Sequence, residues 1–375
     1  MPSFDFDALR RFPDVEAPDL VAVDATDRLL LDEAATALAE AGPGEVAVIG
    51  DHYGAIALGA VALHGARAVR VHQDALSGEL ALARNAQVAG LDGEVRSLPL
   101  DVALTRGARV VLAQLPRSLD ALDEIAGLVA RTAEPDVVLL AGGRVKHMTR
   151  GMNDVLARYF EDVSATLGRQ KSRALVARSP RADAAGRSWP VRAHDDALDL
   201  EIRSFGAAFA GARVDVGTRF LLESLPRMAP EARVALDLGS GTGVIATVLA
   251  RSRPGLRVIA SDQSASAVDS TRATAEANGV AERIEVVRDD AASALADGSV
   301  DLVVLNPPFH IGNAVHGGIA EKLFVAAGRV LVPGGELWTV WNSGLRYRDT
   351  LERHVGPTEQ IARNATFTVT VSRRR

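Results

Sequence analysis

The chain is written twice. EVAVIGDHYG at 45–54 lies against VALDLGSGTG at 234–243, so Gly50 and Gly54 fall 189 positions before Gly239 and Gly243. Asp101 sits 189 before Asp290. Gln114–Leu115–Pro116 sits 192 before Asn306–Pro307–Pro308, and Gly142–Gly143 sits 192 before Gly334–Gly335. A register held this closely over roughly 90 residues implies two domains of one fold. With 375 residues the chain is long enough for two cores. The stretch SPRADAAGRSWP, rich in Ser, Pro, Gly and Ala, marks the join. We expect a first domain over 1–178, a linker over 179–192 and a second domain over 193–375.

The second half alternates strand and helix. Strands are expected at 232–238, 257–261, 284–287, 300–305, 336–341 and 367–372. Helices are expected from Val244, over 265–278, over 319–331 and near 347–354. Such alternation predicts a mostly parallel α/β sheet covered on both faces. PTEQIARNAT reads as a short connection into the last strand, which suits an antiparallel hairpin at the sheet edge.

Chemistry concentrates at one edge of that sheet. GSGTG follows a strand and opens a helix, where glycines let backbone approach a ligand. Its spacing is not the dinucleotide G-x-G-x-x-G, and no phosphate-loop lysine follows. Asp237 precedes the loop by two residues. Asp262 ends the next strand, where a carboxylate can accept from ribose hydroxyls or simply cap a helix. Asp290 ends the third strand region and can accept from an adenine amino group. The hydrophobic run VDLVVL then stops in NPPFH. Two prolines end strand pairing and fix an extended backbone. Asn306 and the Phe309 ring are thereby held at a mouth. The first copy departs here: His52 stands where Gly241 does, and Gln114–Leu115–Pro116–Arg117 stands for Asn306–Pro307–Pro308–Phe309.

Composition narrows the classes. Hydrophobic residues make up 47%, which is globular. There is no cysteine, so disulfides, thiolate metal sites and cysteine nucleophiles are excluded. MPSFDFDALRRFPD lacks the basic start and apolar core of a signal peptide, and no apolar run reaches membrane-spanning length. A soluble cytoplasmic protein is expected. Net charge is −6, yet residues 144–192 hold eleven Lys or Arg against four acids, a local excess of +7 against −13 elsewhere. Either this is a solvated linker face, or it binds a polyanion through residues such as Arg169, Lys171 and Arg173.

DLGSGTG, Asp262, Asp290 and NPPF, in this order, resemble class I S-adenosylmethionine-dependent methyltransferases. The duplication, NPPFH rather than NPPY, and VDVGTRFLLESLP resemble the ribosomal RNA guanine-N2 methyltransferases RsmC and RlmG. IARNATFTVTVSRR is closer to the large-subunit type, RlmG. The resemblance implies two tandem Rossmann-like methyltransferase domains, the N-terminal copy degenerate. It implies S-adenosylmethionine held by Asp237, Gly239, Ser240, Gly241, Gly243, Asp262, Gln263, Asp290, Ala291, Asn306 and Thr218, with S-adenosylhomocysteine as product. Asn306, Pro307, Pro308 and Phe309 form the catalytic motif. His310, Arg169, Lys171 and Arg173 are expected to touch ribosomal RNA or a ribosomal subunit, with the enzyme a monomer lacking metal. Rival readings are an N-methyltransferase of a protein glutamine amide or of adenine, and a non-catalytic RNA-binding assembly protein.

Overall fold

The computed structural model describes residues 4–17, 20–184, 186–308 and 317–375. Phe309 and His310 lie outside the described residues. The chain divides after Trp189 into two compact units.

The first unit runs α1 (Ala25–Glu33), α2 (Ala35–Glu40), β1 (Val46–Ile49), α3 (Ala55–His64), β2 (Val69–His72), α4 (Leu76–Ala89), β3 (Val95–Ser97), α5 (Val102–Thr105), β4 (Val110–Gln114), α6 (Leu119–Thr132), β5 (Val138–Arg144), α7 (Arg150–Tyr159), β6 (Phe160–Ala165) and β7 (Ser172–Pro180). The second runs β8 (Val191–Asp195), β9 (Leu200–Ser204), α8 (Val216–Leu222), β10 (Val234–Leu238), α9 (Val244–Ser252), β11 (Arg257–Asp262), α10 (Ala265–Ala277), β12 (Ile284–Arg288), β13 (Val300–Leu305), α11 (Gly317–Val330), β14 (Leu331–Asn342), α12 (Arg348–His354), β15 (Thr358–Arg363) and β16 (Phe367–Arg373).

The two large sheets have the same order, β3-β2-β1-β4-β5-β7-β6 and β12-β11-β10-β13-β14-β16-β15. The first five strands of each are parallel, and the last two add antiparallel. Successive strand residues serve opposite faces. Val46 and Val48 enter one core while Ala47 and Ile49 enter the other, and Ala235 is separated likewise from Leu236 and Leu238. Burying each Val or Leu contributes about 1.5–3 kcal/mol, which is why central strands read as unbroken apolar runs.

Three features differ from the sequence expectation. PTEQIARNAT is not a plain connection: its core is β15, which pairs antiparallel with β16 at the sheet edge. The expected linker is shorter, because Ser179 and Pro180 finish β7 while Val191 and Arg192 begin β8. Residues 191–204 form a hairpin, β8–β9, bound to α10. Glu201 N donates to Asn278 Oδ1 at 3.1 Å, and Arg203 N donates to Thr274 Oγ1 at 3.0 Å.

Candidate active site at the carboxyl edge of the second sheet

Register places the site. Leu238 lies opposite Ser261 on β11 and Leu305 on β13, and Asp262 lies opposite Arg288 on β12. The glycine loop, Asp262, Asp290 and Asn306 therefore leave the sheet at the same edge, where open α/β sheets bind ligands.

The glycine loop is built for approach. Gly239, Gly241 and Gly243 all have positive φ, at 78°, 56° and 76°. A Cβ on Gly239 or Gly241 would meet nothing within 4 Å, whereas one on Gly243 would sit 2.8 Å from the Thr271 backbone. Gly243 thus serves loop-to-helix packing, while the first two leave a cradle beside backbone amides. Ser240 is not free to face that cradle, since its hydroxyl bonds Thr271 Oγ1 at 3.0 Å.

The acids divide the labour. Asp237 is fully buried; its Oδ2 accepts from Ala246 N at 2.9 Å, and its Oδ1 is buried without a partner. Burial pushes its carboxyl up to about 7, opposed by the Ala246 bond and reinforced by the Asp262 charge. Asp262 accepts from Gly241 N at 3.0 Å and from Ser264 N at 2.9 Å. It braces both the loop and the entry to α10, whose N-cap is Ser264. Gln263 offers its carbonyl to Arg288 Nε at 3.4 Å. Asp290 pairs with Lys322 Nζ at 2.6 Å, a partner 32 residues on that no local pattern signalled. Ala291 follows with φ 54°.

Asn306 is held at the edge through its amide nitrogen. Its Nδ2 donates to Asp215 Oδ2 and to Thr218 Oγ1, both at 3.0 Å, while its Oδ1 is buried without a partner. Pro307 is buried and Pro308 exposed. Thr218, expected among the residues that hold the cofactor, here holds Asn306. Asp215 was missed by sequence reasoning. Its signal was present as an N-cap aspartate in DVGT: its carboxylate accepts from Gly217 N and Thr218 N at the start of α8.

Arg169 and Lys171 lie in the β6–β7 turn of the first unit, and Arg173 lies at the start of β7. Arg169 pairs with Asp32 at 2.5 Å; Lys171 and Arg173 are exposed. Among the described residues no helix is long and apolar enough to cross a membrane, and no group of three His, Asp or Glu side chains could hold a metal ion.

Open glycines after β10, a buried carboxylate oxygen without a partner on β10 and this strand order fit a class I S-adenosylmethionine-dependent methyltransferase. Comparison with known proteins makes the class specific. The family model described as "Methyltransferase small domain" matches residues 199–371, and "RLMG N-terminal domain" matches residues 2–181. Proteins named ribosomal RNA large subunit methyltransferase G are 35% identical in Streptomyces coelicolor and 34% identical in Pseudomonas paraeruginosa. Each alignment covers 96% of this chain and 96% of the relative. The chain belongs to this ribosomal RNA large subunit methyltransferase G family. The solved 16S rRNA N2 methyltransferase RsmC of T. thermophilus, in complex with AdoMet and guanosine, shares the fold. Its TM-score is 0.73 at 24% identity, over 94% of this chain and 92% of that one.

Proposed function

We propose that the enzyme moves the methyl group of S-adenosylmethionine onto the exocyclic N2 amine of a guanine in large-subunit ribosomal RNA, in the cytoplasm. The carrying observation is the Asn306 amide, tied through its nitrogen and presenting a buried, unsatisfied oxygen. A guanine amine is a poor nucleophile because its lone pair is conjugated with the ring. Asn306 Oδ1 and the Pro307 carbonyl accept its two hydrogens and aim the lone pair, a positioning and electrostatic role. Phe309 stacks on the base, a contact of about 1–3 kcal/mol. The base must be unpaired or flipped to enter.

The residues fit the cofactor: Gly239 and Gly241 leave room beside their backbone, and Asp237 Oδ1 awaits a donor. Gly239, Gly241, Gly243, Asp237 and Asp262 would hold it, with Gln263, Asp290 and Ala291 flanking the adenosine end. When bound it supplies an electrophilic methyl on a sulfonium. As the amine nitrogen bonds the methyl carbon, the carbon–sulfur pair returns to sulfur, giving the thioether S-adenosylhomocysteine. One amine proton leaves to water, since a carboxamide oxygen is too weak a base to keep it. We assign the first unit, with Arg169, Lys171 and Arg173, to holding RNA.

The test is turnover with labelled cofactor on ribosomal RNA, ribosomal subunits and, as the rival substrate, a release-factor glutamine. Asn306→Ala should lower kcat by about 10²–10³-fold while cofactor affinity stays near wild type. A near-normal rate would refute the assignment, and methylation of the glutamine alone would move the enzyme to the rival class.

A further inference from the structure

We propose that Asp215, assisted by Thr218, is a positioning residue that locks the Asn306 carboxamide in the one orientation able to accept from the target amine. This rests on the reading of Asn306 Oδ1 as the acceptor. A carboxamide can present either end, and only its partners decide which. Asp215 Oδ2, as a carboxylate oxygen, accepts only. Thr218 Oγ1 takes the second hydrogen, so both Nδ2 hydrogens are used at 3.0 Å and Oδ1 is forced to the opposite side. The flipped amide would set oxygen against carboxylate oxygen. The negative charge beside the NH₂ also draws the amide dipole, raising the electron density on Oδ1.

The lock is itself immobilised. Asp215 Oδ2 accepts from Gly217 N at 2.9 Å and Thr218 N at 3.1 Å, which fixes the carboxylate before Asn306 arrives from a strand 91 residues away. Gly217 is part of the device: a Cβ there would lie 3.1 Å from Asp215 Oδ2 and 3.3 Å from the Phe367 ring. The outcome in the resting protein is a buried acceptor with no partner. That arrangement is unfavourable until something with N–H groups fills it.

A purely structural alternative exists. The first unit has a comparable tether, from Gln114 Nε2 at the end of β4 to Asp27 Oδ1 in α1, at 2.5 Å. Tying this strand end to this helix is therefore a property of the fold. What the second unit adds is the orphaned oxygen, which Gln114 does not present. The experiment must separate tether from lock.

Full-length protein carrying Asp215→Ser, which retains a helix cap but loses reach, or Thr218→Val, is assayed on ribosomal RNA alone and in an Asn306→Ala background. Asp215→Ser should lower kcat on the order of 10²-fold, with KM for RNA and cofactor affinity near wild type. Thr218→Val should lower it less, because one hydrogen stays paired. Asp215→Asn, which can still accept from Nδ2, should recover part of the loss. In the Asn306→Ala background neither change should cost anything further. Losses that add in that background, or that track a fall in melting temperature, overturn the lock. If Asn306→Ala itself turns over normally, the acceptor reading fails. If Asn306→Ala is inactive while Asp215→Ser is normal, only the lock fails.

Discussion

The two units differ less in their hydrogen bonds than in what they leave open. In the second, Asp262 takes Gly241 N; in the first, Gln73 Oε1 takes His52 N at 2.9 Å, from the position 189 residues earlier. Gly243 packs on Thr271, and a Cβ on Gly54 would meet Leu82, again 189 earlier, at 2.8 Å and Leu58 at 3.0 Å. Asp215 caps α8 and Asp24 caps α1, at an offset of 191. The scaffold of the site is thus present twice. The vacancies are not. His52, with φ 59°, carries a side chain where Gly241, with φ 56°, leaves open space. Asp51 satisfies both its oxygens on Ile56 N and Ala57 N, whereas Asp237 leaves one unpaired. The loop residue Tyr53 is also covered: its hydroxyl donates to Asp14 at 2.6 Å, and Arg11 stacks 4.5 Å above its ring. The shared bonding is kept in both units because losing it destabilises the chain, whereas the open loop stands at Gly239 and Gly241 of the second.

Exchanging the residues that differ is the strongest way to break this comparison. Gly241→His should weaken S-adenosylmethionine binding by about 100-fold or more, equivalent to about 2.8 kcal/mol. The unliganded protein should lose only about 1–2 kcal/mol of stability, since the imidazole enters open space and the cost is the left-handed backbone. The reverse change, His52→Gly, should leave titration at one site per chain, because Arg11, Asp14 and Tyr53 still cover the first loop. Two sites after His52→Gly would mean that one side chain alone separates the copies.

Buried acids sharpen the comparison at smaller amplitude. Asp237 has its folded pKa raised by burial from the ordinary 3.8 to about 7. A raised pKa favours the protonated folded form, so its stabilising contribution is full below about pH 4. That contribution is lost as pH rises through about 7. Asp51 is pushed in the same direction by burial, and Asp27 reaches about 7, so the unliganded enzyme should melt lower at pH 8 than at pH 5. Cofactor binding distinguishes them. A donor reaching Asp237 Oδ1 favours the carboxylate, so affinity should improve by up to about fivefold between pH 6 and 7. Asp237→Asn should remove that dependence and leave the first unit's share of the melting trend. A pH-independent wild-type affinity would show that Oδ1 meets no donor.

How much of this could be read in the sequence follows from range. The repeat offset and the apolar runs are local or self-referential, and they led to two like sheets with Gly241, Asp262 and Asn306 on one edge. Strand β15 was hidden because TEQIAR is a polar edge strand whose contacts with the core, through Thr358, Ile361 and Ala362, do not alternate. The pairs Asp215–Asn306 and Lys322–Asp290 join residues 91 and 32 positions apart, which only the topology brings together. The 191-residue match of Asp24 to Asp215 was available in the sequence, but it becomes meaningful only once each is seen capping a helix.

The smallest expected effect concerns RNA, which the first unit is proposed to hold. The β6–β7 turn lies beside the end of β5: Val145 N donates to Lys171 O at 2.9 Å, and Arg144 is opposite Ser172. Lys171, Arg173 and Arg144 thereby share the edge of the first sheet that corresponds to the cofactor edge of the second. Lys171 and Arg173 are exposed and should each contribute about 0.7 to the slope of log affinity against log salt, as phosphate contacts do on single strands. Arg169 should contribute less, because in the free protein it is already paired with Asp32 and must exchange one anion for another. Lys171→Ala with Arg173→Ala should therefore shallow the slope by about 1.4, and adding Arg169→Ala should change it little. Asp32→Ala should tighten RNA binding a few-fold, because it frees Arg169 and removes a negative charge that repels the phosphates. Filter binding across a salt series measures all three variants against wild type, with cofactor titration as the control that should not move. If the slope is unaltered when Lys171 and Arg173 are removed, the basic stretch is a solvated face, and the first unit holds RNA elsewhere or not at all.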